Sequence, residues 1–357
     1  MAPWRDSNQE PLQIGASECN SFRAVCLTFF LPHVLAPPSY ADDVAQFYSG
    51  KTLKVVIGHS VGGGYDLYAR LLSRHLPKHI PGHPTVVPQS MTGAGGLRVT
   101  NYLYSVAPKD GTVIGTFSRS IPTMPLLTPP GSFDARRFTW LGSMSRDTSL
   151  CLSGASSPVK TWQSMLTTPL VMGGQSAGSD SDIYARLYKN VLGAQIKLVS
   201  GYPGTTEIIL AMLRGEVDGI CGLSWGTIKV SHPEWRQNKG VNFLLQAGLG
   251  KDPDLPDVPF ASDLVHELEK KQILDLHFAP QAMGRPFAAP PDIPNDRKAA
   301  LIRAFDNAMK DPELLAEAEK QKMDIDPMPA NQIDGLIAQL YSTPPDVVAR
   351  AAQAVAE

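Results

Sequence analysis

The feature that most limits how this chain can fold is a unit repeated in outline along it: a short apolar, β-rich run, a loop of glycine and serine, then an amphipathic helical stretch. Strands separated by helices pair in parallel, so the alternation predicts an α/β architecture of parallel sheets covered by helices. LKVVIG (53–58) leads through HSVGGG into YDLYARLLSRHL, where Leu67 with Leu71 and Tyr68 with Leu72 keep the i, i+4 spacing of a helix. TVVPQSM (85–91) leads through TGAGG into LRVTNYLYSV, and APKDG turns into TVIGTF (112–117). After the proline-rich break MPLLTPPGS the pattern restarts with LVM (170–172), GGQSAGSDS and the helix DIYARLYKNVL. IKLV (196–199) follows with SGYPGTT and EIILAMLRG, then VDGICGLSW as a strand and VNFLLQAGL (241–249) as a returning one. The second half thus repeats the first, which predicts two doubly wound lobes. KDPDLPDVPF reads as loop, and two helical stretches close the chain, cut by Pro312 and Pro344-Pro345, with Asp311 and Thr343 as expected caps.

Bulk properties agree with two domains, since 357 residues exceed what one small core needs. Hydrophobic residues at 43% against charged ones at 18% exclude disorder. With 32 basic and 34 acidic residues there is no basic excess to draw nucleic acid. Near the start, Arg23 precedes AVCLTFFLPHVLA (24–36), then PPSYA, then Asp42-Asp43. A charged flank, an apolar run about half a membrane span long and a small-x-small site at Ser39-Tyr40-Ala41 predict a signal peptide over 1–41 and export. An uncleaved anchor or a buried helix is the competing reading, because the segment also carries Asp6, Glu10 and Glu18.

Export would remove Cys19 and Cys26 and leave Cys151 and Cys221. A disulfide closing a loop of about 70 residues and a pair of buried small apolar side chains both fit them. No cofactor is called for, and two cysteines do not make a structural zinc site. His75, His79 and His83 are spaced by four, but Pro77 and Pro81 break the helix that would align them, so they read as surface histidines and no metal is expected. Trp140, Trp162 and Trp235 read as packing residues.

Gly58-His59-Ser60-Val61-Gly62 spells G-x-S-x-G, the nucleophile elbow of lipases and esterases. As an esterase, the chain would use Ser60 with a downstream acid and His277 or His232. That fold takes an oxyanion donor from an earlier strand–helix loop, and only about a dozen residues separate the expected cleavage point from LKVVIG. The alternative uses the same loop as an anion cradle. A glycine-rich turn between strand and helix aims backbone N–H groups and the positive end of the helix dipole at one spot. Gly62, Gly63 and Gly64 would allow close approach, Ser60 would donate a hydroxyl, and Asp66 would cap its helix or hold a water. Without the G-K-[ST] ending of a phosphate loop, the anion expected is a carboxylate. GGQSAGSDSD (173–182) repeats the device with Ser176, Ala177, Gly178, Ser179 and Asp180, which could equally be plain caps. SGYPGTT adds Tyr202, Gly204 and Thr205; GAGG (93–96) could bind or simply pack; and Ser118-Arg119 and Ser224-Trp225 stand at strand ends. Arg119 is either the carboxylate's cation or a solvated surface residue.

Several segments, in order, resemble one family: VVIGHSVGGGYDLYARLL, PQSMTGAGGLRVTNYL, APKDGTVIGTF, YPGTTEIILAMLRGEVDG and LPDVP. They are similar to the Gly-Gly-x-x-Asp loop, Gly-Ala-Gly-Gly segment, Pro-x-Asp-Gly turn, Tyr-x-Gly loop and Leu-Pro-Asp-Val-Pro turn of the substrate-binding proteins of tripartite tricarboxylate transporters, the Bug-type periplasmic receptors. The resemblance departs where the family usually has Pro-Phe-x-Pro and this chain has Gly58-His59-Ser60-Val61. It implies a two-lobed periplasmic binding protein of the type II, Venus-flytrap kind, with lobe one over 42–145 and 246–357 and lobe two over 146–245. It implies a ligand site on the loops Ser60 to Asp66, Ser176 to Asp180 and Tyr202 to Thr205. It further implies a monomeric, non-enzymatic receptor for a di- or tricarboxylate or an aromatic acid, with a membrane permease as partner. A sensory role is the other possible use of such a protein.

Overall fold

The loop-and-helix alternation resolves into two sheets, one of six strands and one of five, in a computed structural model that describes residues 40–128, 132–237 and 240–356. The first sheet begins with β1 (Thr52–Ile57), β2 (Thr85–Ser90), β3 (Val113–Thr116) and β4 (Thr139–Ser143). The second holds β5 (Ser149–Gly154), β6 (Leu170–Gly173), β7 (Ile196–Val199), β8 (Gly219–Ser224) and β9 (Val241–Ala247). The chain then returns to the first with β10 (Pro286–Ala289) and β11 (Met328–Pro329). The spatial orders are β11-β4-β10-β3-β1-β2 and β7-β6-β8-β5-β9. β1 pairs in parallel with β2 and β3, and β6 with β7 and β8, as helix-separated strands must. β10 runs antiparallel to β3 and β4, and β5 antiparallel to β8 and β9. The fold is two-lobed, and the chain crosses between sheets once after β4 and once after β9.

Strand alternation sorts the core. In β1, Leu53, Val55 and Ile57 face one apolar cluster with Phe287 and Phe305, while Val56 faces another that reaches both sheets and includes Trp140, Tyr184 and Phe278. In the second sheet, Leu150, Leu152, Ile220 and Leu223 pack outward with Trp225, whereas Cys151 and Cys221 point to the shared cluster. Because β5 and β8 are neighbours and the two cysteines share a face, they meet, and a disulfide joins them. Pro88 interrupts β2 without penalty, since β2 is an edge strand paired only with β1.

The strands β4, β5 and β10 and the helix Leu268–Phe278 were not expected from the sequence. These strands are short, rich in Gly, Ser, Ala or Pro, and buried at every position, so no alternation marks them. Pro312 and Pro345 do open helices. Asp311 caps the first by accepting from the Glu313 backbone N–H at 3.0 Å. Thr343 does not cap the second: Pro344 takes that place, its fixed backbone already extended. Of the expected leader, 1–39 lies outside the described residues, and Tyr40 and Ala41 begin the helix Tyr40–Tyr48. Among the described residues no helix is long and apolar enough to cross a membrane.

The disulfide links positions 70 residues apart, for which chain-entropy arguments give about 4 kcal/mol of stabilisation. Thiol mapping of denatured, oxidised protein should therefore find neither Cys151 nor Cys221 free, and reduction should lower the melting temperature by several degrees. An unchanged melting temperature in reductant would contradict this assignment.

Candidate functional site

The loops after β1, β3, β6 and β8 meet where the two sheets face each other, and they enclose a cavity of about 30 Å³. From the first lobe come His59, Ser60, Gly63, Gly64, Tyr65, Ser118, Arg119 and Arg285; from the second, Gln175, Asp180, Ser181, Thr205, Gly222, Leu223, Ser224 and Thr227. Such a volume has room for about two water molecules. Anything larger needs the loops further apart than they stand here.

Two helices from opposite lobes point their N-termini at this place. Gly64–His75 starts at N-cap Gly63, and Thr205–Leu213 starts at N-cap Gly204. The first N–H groups of each have no acceptor within their own helix, and the two positive dipole ends favour an anion between them. The side chain of Glu207 stands close by and accepts from Ser60 Oγ at 3.0 Å across the cleft. Gly64 has to be glycine, because a Cβ there would run into Thr227 and stand 2.9 Å from Arg285 Nη2.

Beneath the amides lies a buried charge network. Asp147, in the first crossing between lobes, holds both arginines: its Oδ2 is 2.9 Å from Arg119 Nη1 and 2.9 Å from Arg285 Nη1. Arg119 Nη2 also reaches Asp180 Oδ2 at 2.7 Å and Ser149 Oγ at 2.7 Å. Arg285 Nη2 donates to Ser224 Oγ at 2.5 Å and Thr227 Oγ1 at 3.1 Å, and its guanidinium lies over the rings of Tyr65 and Tyr68 at 4.8 and 5.1 Å. Asp180 completes the lobe contact by accepting from Ser118 Oγ at 3.2 Å and from Ser120 Oγ. Burial would lower the pKa of Arg119, but Asp180 and Asp147 outweigh it and raise it. Burial would likewise raise Asp147, and the two arginines hold it below the usual carboxylate value instead. His59 is pushed down to about 3 by burial and by both arginines, so its imidazole is neutral; it stacks on Tyr65 at 4.2 Å, and its Nδ1 is buried without a hydrogen-bond partner.

Of the residues singled out in the sequence, Ser60, Gly63, Gly64, Ser118, Arg119, Asp180, Thr205 and Ser224 line the cavity, and the others do not. Gly62 is exposed and donates its N–H to Asp66 Oδ2 at 3.0 Å, so both close the turn from outside the cavity; Asp66 also binds Arg70 at 2.9 Å. Even at Gly63 the N–H is turned back onto Ser60 O, at 3.1 Å. In the second glycine-rich loop, Ser179 Oγ bonds Ser176 O at 2.7 Å and Ala177 is exposed. Gly178 is packed against Met124 and Ile121 of the first lobe. Tyr202 packs half-buried on the outer core of the second lobe, and Gly204 backs onto Ser60. Trp225 is buried in the same outer core, edge-on to Phe243, rather than in the cavity wall. Arg119 is not a surface residue: it is 1% exposed and already paired. Sequence reasoning missed His59, Tyr65, Gln175, Ser181, Gly222, Leu223, Thr227 and Arg285. Arg285 carried no local signal, because it precedes a strand too short to recognise.

The same architecture occurs in solved proteins. BugD, a periplasmic binding protein, superposes with a TM-score of 0.68 at 17% identity, over 86% of this chain and 97% of BugD. MatC from Rhodopseudomonas palustris, solved with malate, gives 0.66 at 22% identity over 86% of this chain and 99% of its own. An R. palustris protein solved with adipate gives 0.64 at 15% identity over 85% and 97%. At these identities the likeness shows the fold, that of a two-lobed periplasmic binding protein. No family model and no curated protein matches the chain.

The neutral His59 makes stability depend on pH. Between about 6.5 and about 3 the unfolded chain takes up a proton on this residue that the folded state refuses, so stability falls as pH drops through that window. His277, lowered to about 4 by burial, adds to the loss, and Asp147 adds more below its ordinary value of 3.8. Melting temperatures measured from pH 7 to 4 should decline, and His59→Gln should flatten but not abolish the slope. An identical slope in that variant would show His59 to be charged or exposed.

Proposed function

We propose that this chain is a periplasmic solute receptor of the Bug type, which closes two lobes over a small carboxylate and delivers it, as a monomer, to a membrane permease. The observation that carries the reading is the approach of two helix N-termini from opposite lobes at a cavity backed by two buried arginines. An anion placed there gains dipole and hydrogen-bond stabilisation from both lobes at once, so binding and closure reinforce each other. Malate bound to MatC and adipate bound to the second R. palustris protein of the same fold support dicarboxylates as solutes. Di- and tricarboxylates and aromatic acids are the solutes to try. In this reading lobe one carries the first sheet and the C-terminal helices, lobe two carries the second sheet, and the two crossings form the hinge.

Ser60 acts as a donor in this reading, not as a nucleophile. Its hydroxyl is bonded to Glu207, while the candidate bases are engaged elsewhere: His277 Nε2 lies 3.1 Å from Ala351 O, and His232 stacks on Trp235 at 4.1 Å.

A thermal-shift screen of carboxylates should find at least one that raises the melting temperature by several degrees, since ligand at a hundredfold over its dissociation constant adds about 2.7 kcal/mol. Binding should be stoichiometric, and Ser60→Ala should weaken it about tenfold, as loss of one charge-assisted hydrogen bond implies. Hydrolysis of a chromogenic short-chain ester that disappears in Ser60→Ala would overturn the receptor reading in favour of an esterase.

A further inference from the structure

A second cluster of reactive side chains lies at the far end of the helix Gly64–His75, roughly 16 Å along its axis from the cleft at 1.5 Å per residue. There the helix tightens into the 3-10 turn Leu76–His79 at Pro77. The change of pitch carries His79 round to the side that His75 faces. Opposite them stands Asp311, whose Oδ1 is fixed by the Glu313 backbone N–H at 3.0 Å. Its Oδ2 lies 3.0 Å from His79 Nε2, 3.9 Å from His75 Nδ1 and 2.6 Å from Lys78 Nζ. Lys78 Nζ is also 2.5 Å from Glu313 Oε2. One possible ligand atom each from His75, Asp311 and Glu313 fall within 4.8 Å of one another.

We infer that this cluster is a binding site for a divalent transition metal of the zinc, nickel and copper class, with His75 Nδ1, Asp311 Oδ2 and Glu313 as ligands and His79 Nε2, which stands beside Asp311 Oδ2, as the fourth drawn in by the ion. Ligand atoms about 2.0–2.1 Å from a tetrahedral ion lie roughly 3.3 Å apart, and the separations of 3.0 and 3.9 Å bracket that value. Two independent features support the assignment. The nitrogen of His75 left over for outer contacts, Nε2, is 2.7 Å from Glu317 Oε2. Glu317 is itself held by Arg74 at 2.5 Å and Gln321 at 2.8 Å, the carboxylate–imidazole arrangement that orients metal ligands. The ammonium of Lys78 already sits between Asp311 and Glu313, so the field at that point holds a cation. Lys78 is 40% exposed and can swing into water, which makes it a competitor for the site and not a barrier to it. Imidazole ligands select against magnesium and calcium, which prefer all-oxygen sites. A bound ion would clamp the helix Gly64–His75 to Pro312–Lys320 within the first lobe.

The test is calorimetric titration of the tag-free exported chain with zinc ion, and with magnesium in parallel. The expected result is one equivalent of zinc and no magnesium. His79→Ala and Glu317→Gln should each weaken zinc binding by about tenfold or more. Lys78→Ala should tighten it several-fold, because a competing charge is gone, whereas in a simple ion-pair cluster the same change would create no site at all. Asp311→Asn keeps the helix cap, since an amide oxygen still accepts from the Glu313 backbone N–H, but it also breaks the pair with Lys78, so His79→Ala, at a half-buried position, serves as the decisive variant. Solute binding at the cleft should be the same in His79→Ala and the parent chain. The inference fails if neither the parent nor Lys78→Ala binds zinc below millimolar concentration, or if His79→Ala binds it as tightly as the parent.

Discussion

One carboxylate oxygen, Oδ2 of Asp147, bonds two buried guanidiniums at the point where the chain first passes from one lobe to the other, and the site's arrangement depends on it. Without it Arg119 would keep Asp180 as its counter-charge, but Arg285 would lose its carboxylate partner, and stranding a buried charge costs several kcal/mol. With it in place, each arginine reaches across to residues of the second sheet's side, Arg119 to Asp180 and Ser149, and Arg285 to Ser224 and Thr227. This buried charge therefore ties the loops of the two sheets together. Because Asp147 and Asp180 balance Arg119 and Arg285, the network has no net charge, and in the proposed receptor the attraction for an anion would come mainly from oriented dipoles.

That division of labour explains which donors remain for a solute. A glycine-rich loop suggests a ring of free amides, yet in this chain the N–H of Gly62 is committed to Asp66 and that of Gly63 to Ser60. The loop's own bonds hold its shape. What faces the cavity is the opening turn of each helix, together with hydroxyls and the arginine edges. Glycine at 64 matters less for its amide than for the contact it permits between Arg285 and the helix start. Glu207 and Asp180, both in first turns, already place carboxylates beside the helix N-termini from within the protein. A solute acid would enter a neighbourhood that the chain itself shows to favour carboxylates, and would compete with those side chains for donors.

Much of this was legible in the sequence, and the rest was hidden for identifiable reasons. The strands with apolar alternation, β1 and β7 among them, and the helices with i, i+4 spacing stand within a residue or two of where the pattern put them. Eight of the cavity residues came from reading glycine- and serine-rich loops at helix starts, together with the strand ends at Ser118-Arg119 and Ser224, as places for a ligand. Arg285 and Asp147 escaped because nothing local marks them: one precedes a four-residue strand and the other sits in a crossing whose role appears only when the sheets are assembled. Trp225 followed a strand end as expected, but side-chain direction, which the sequence does not encode so close to a helix start, turned it into the outer core. His75 and His79 were discounted because a proline separates them, whereas the proline's actual effect is to tighten the turn and bring them to one side.

The most direct measurement is a crystal structure of the mature protein grown with a saturating carboxylate that stabilises it. Two opposed helix starts drawing an acid between them require electron density for a carboxylate group within hydrogen-bonding distance of the first-turn amides at Gly64 and Thr205. Density for the acid on any outer face of either lobe, with the cleft filled only by water, would contradict the account.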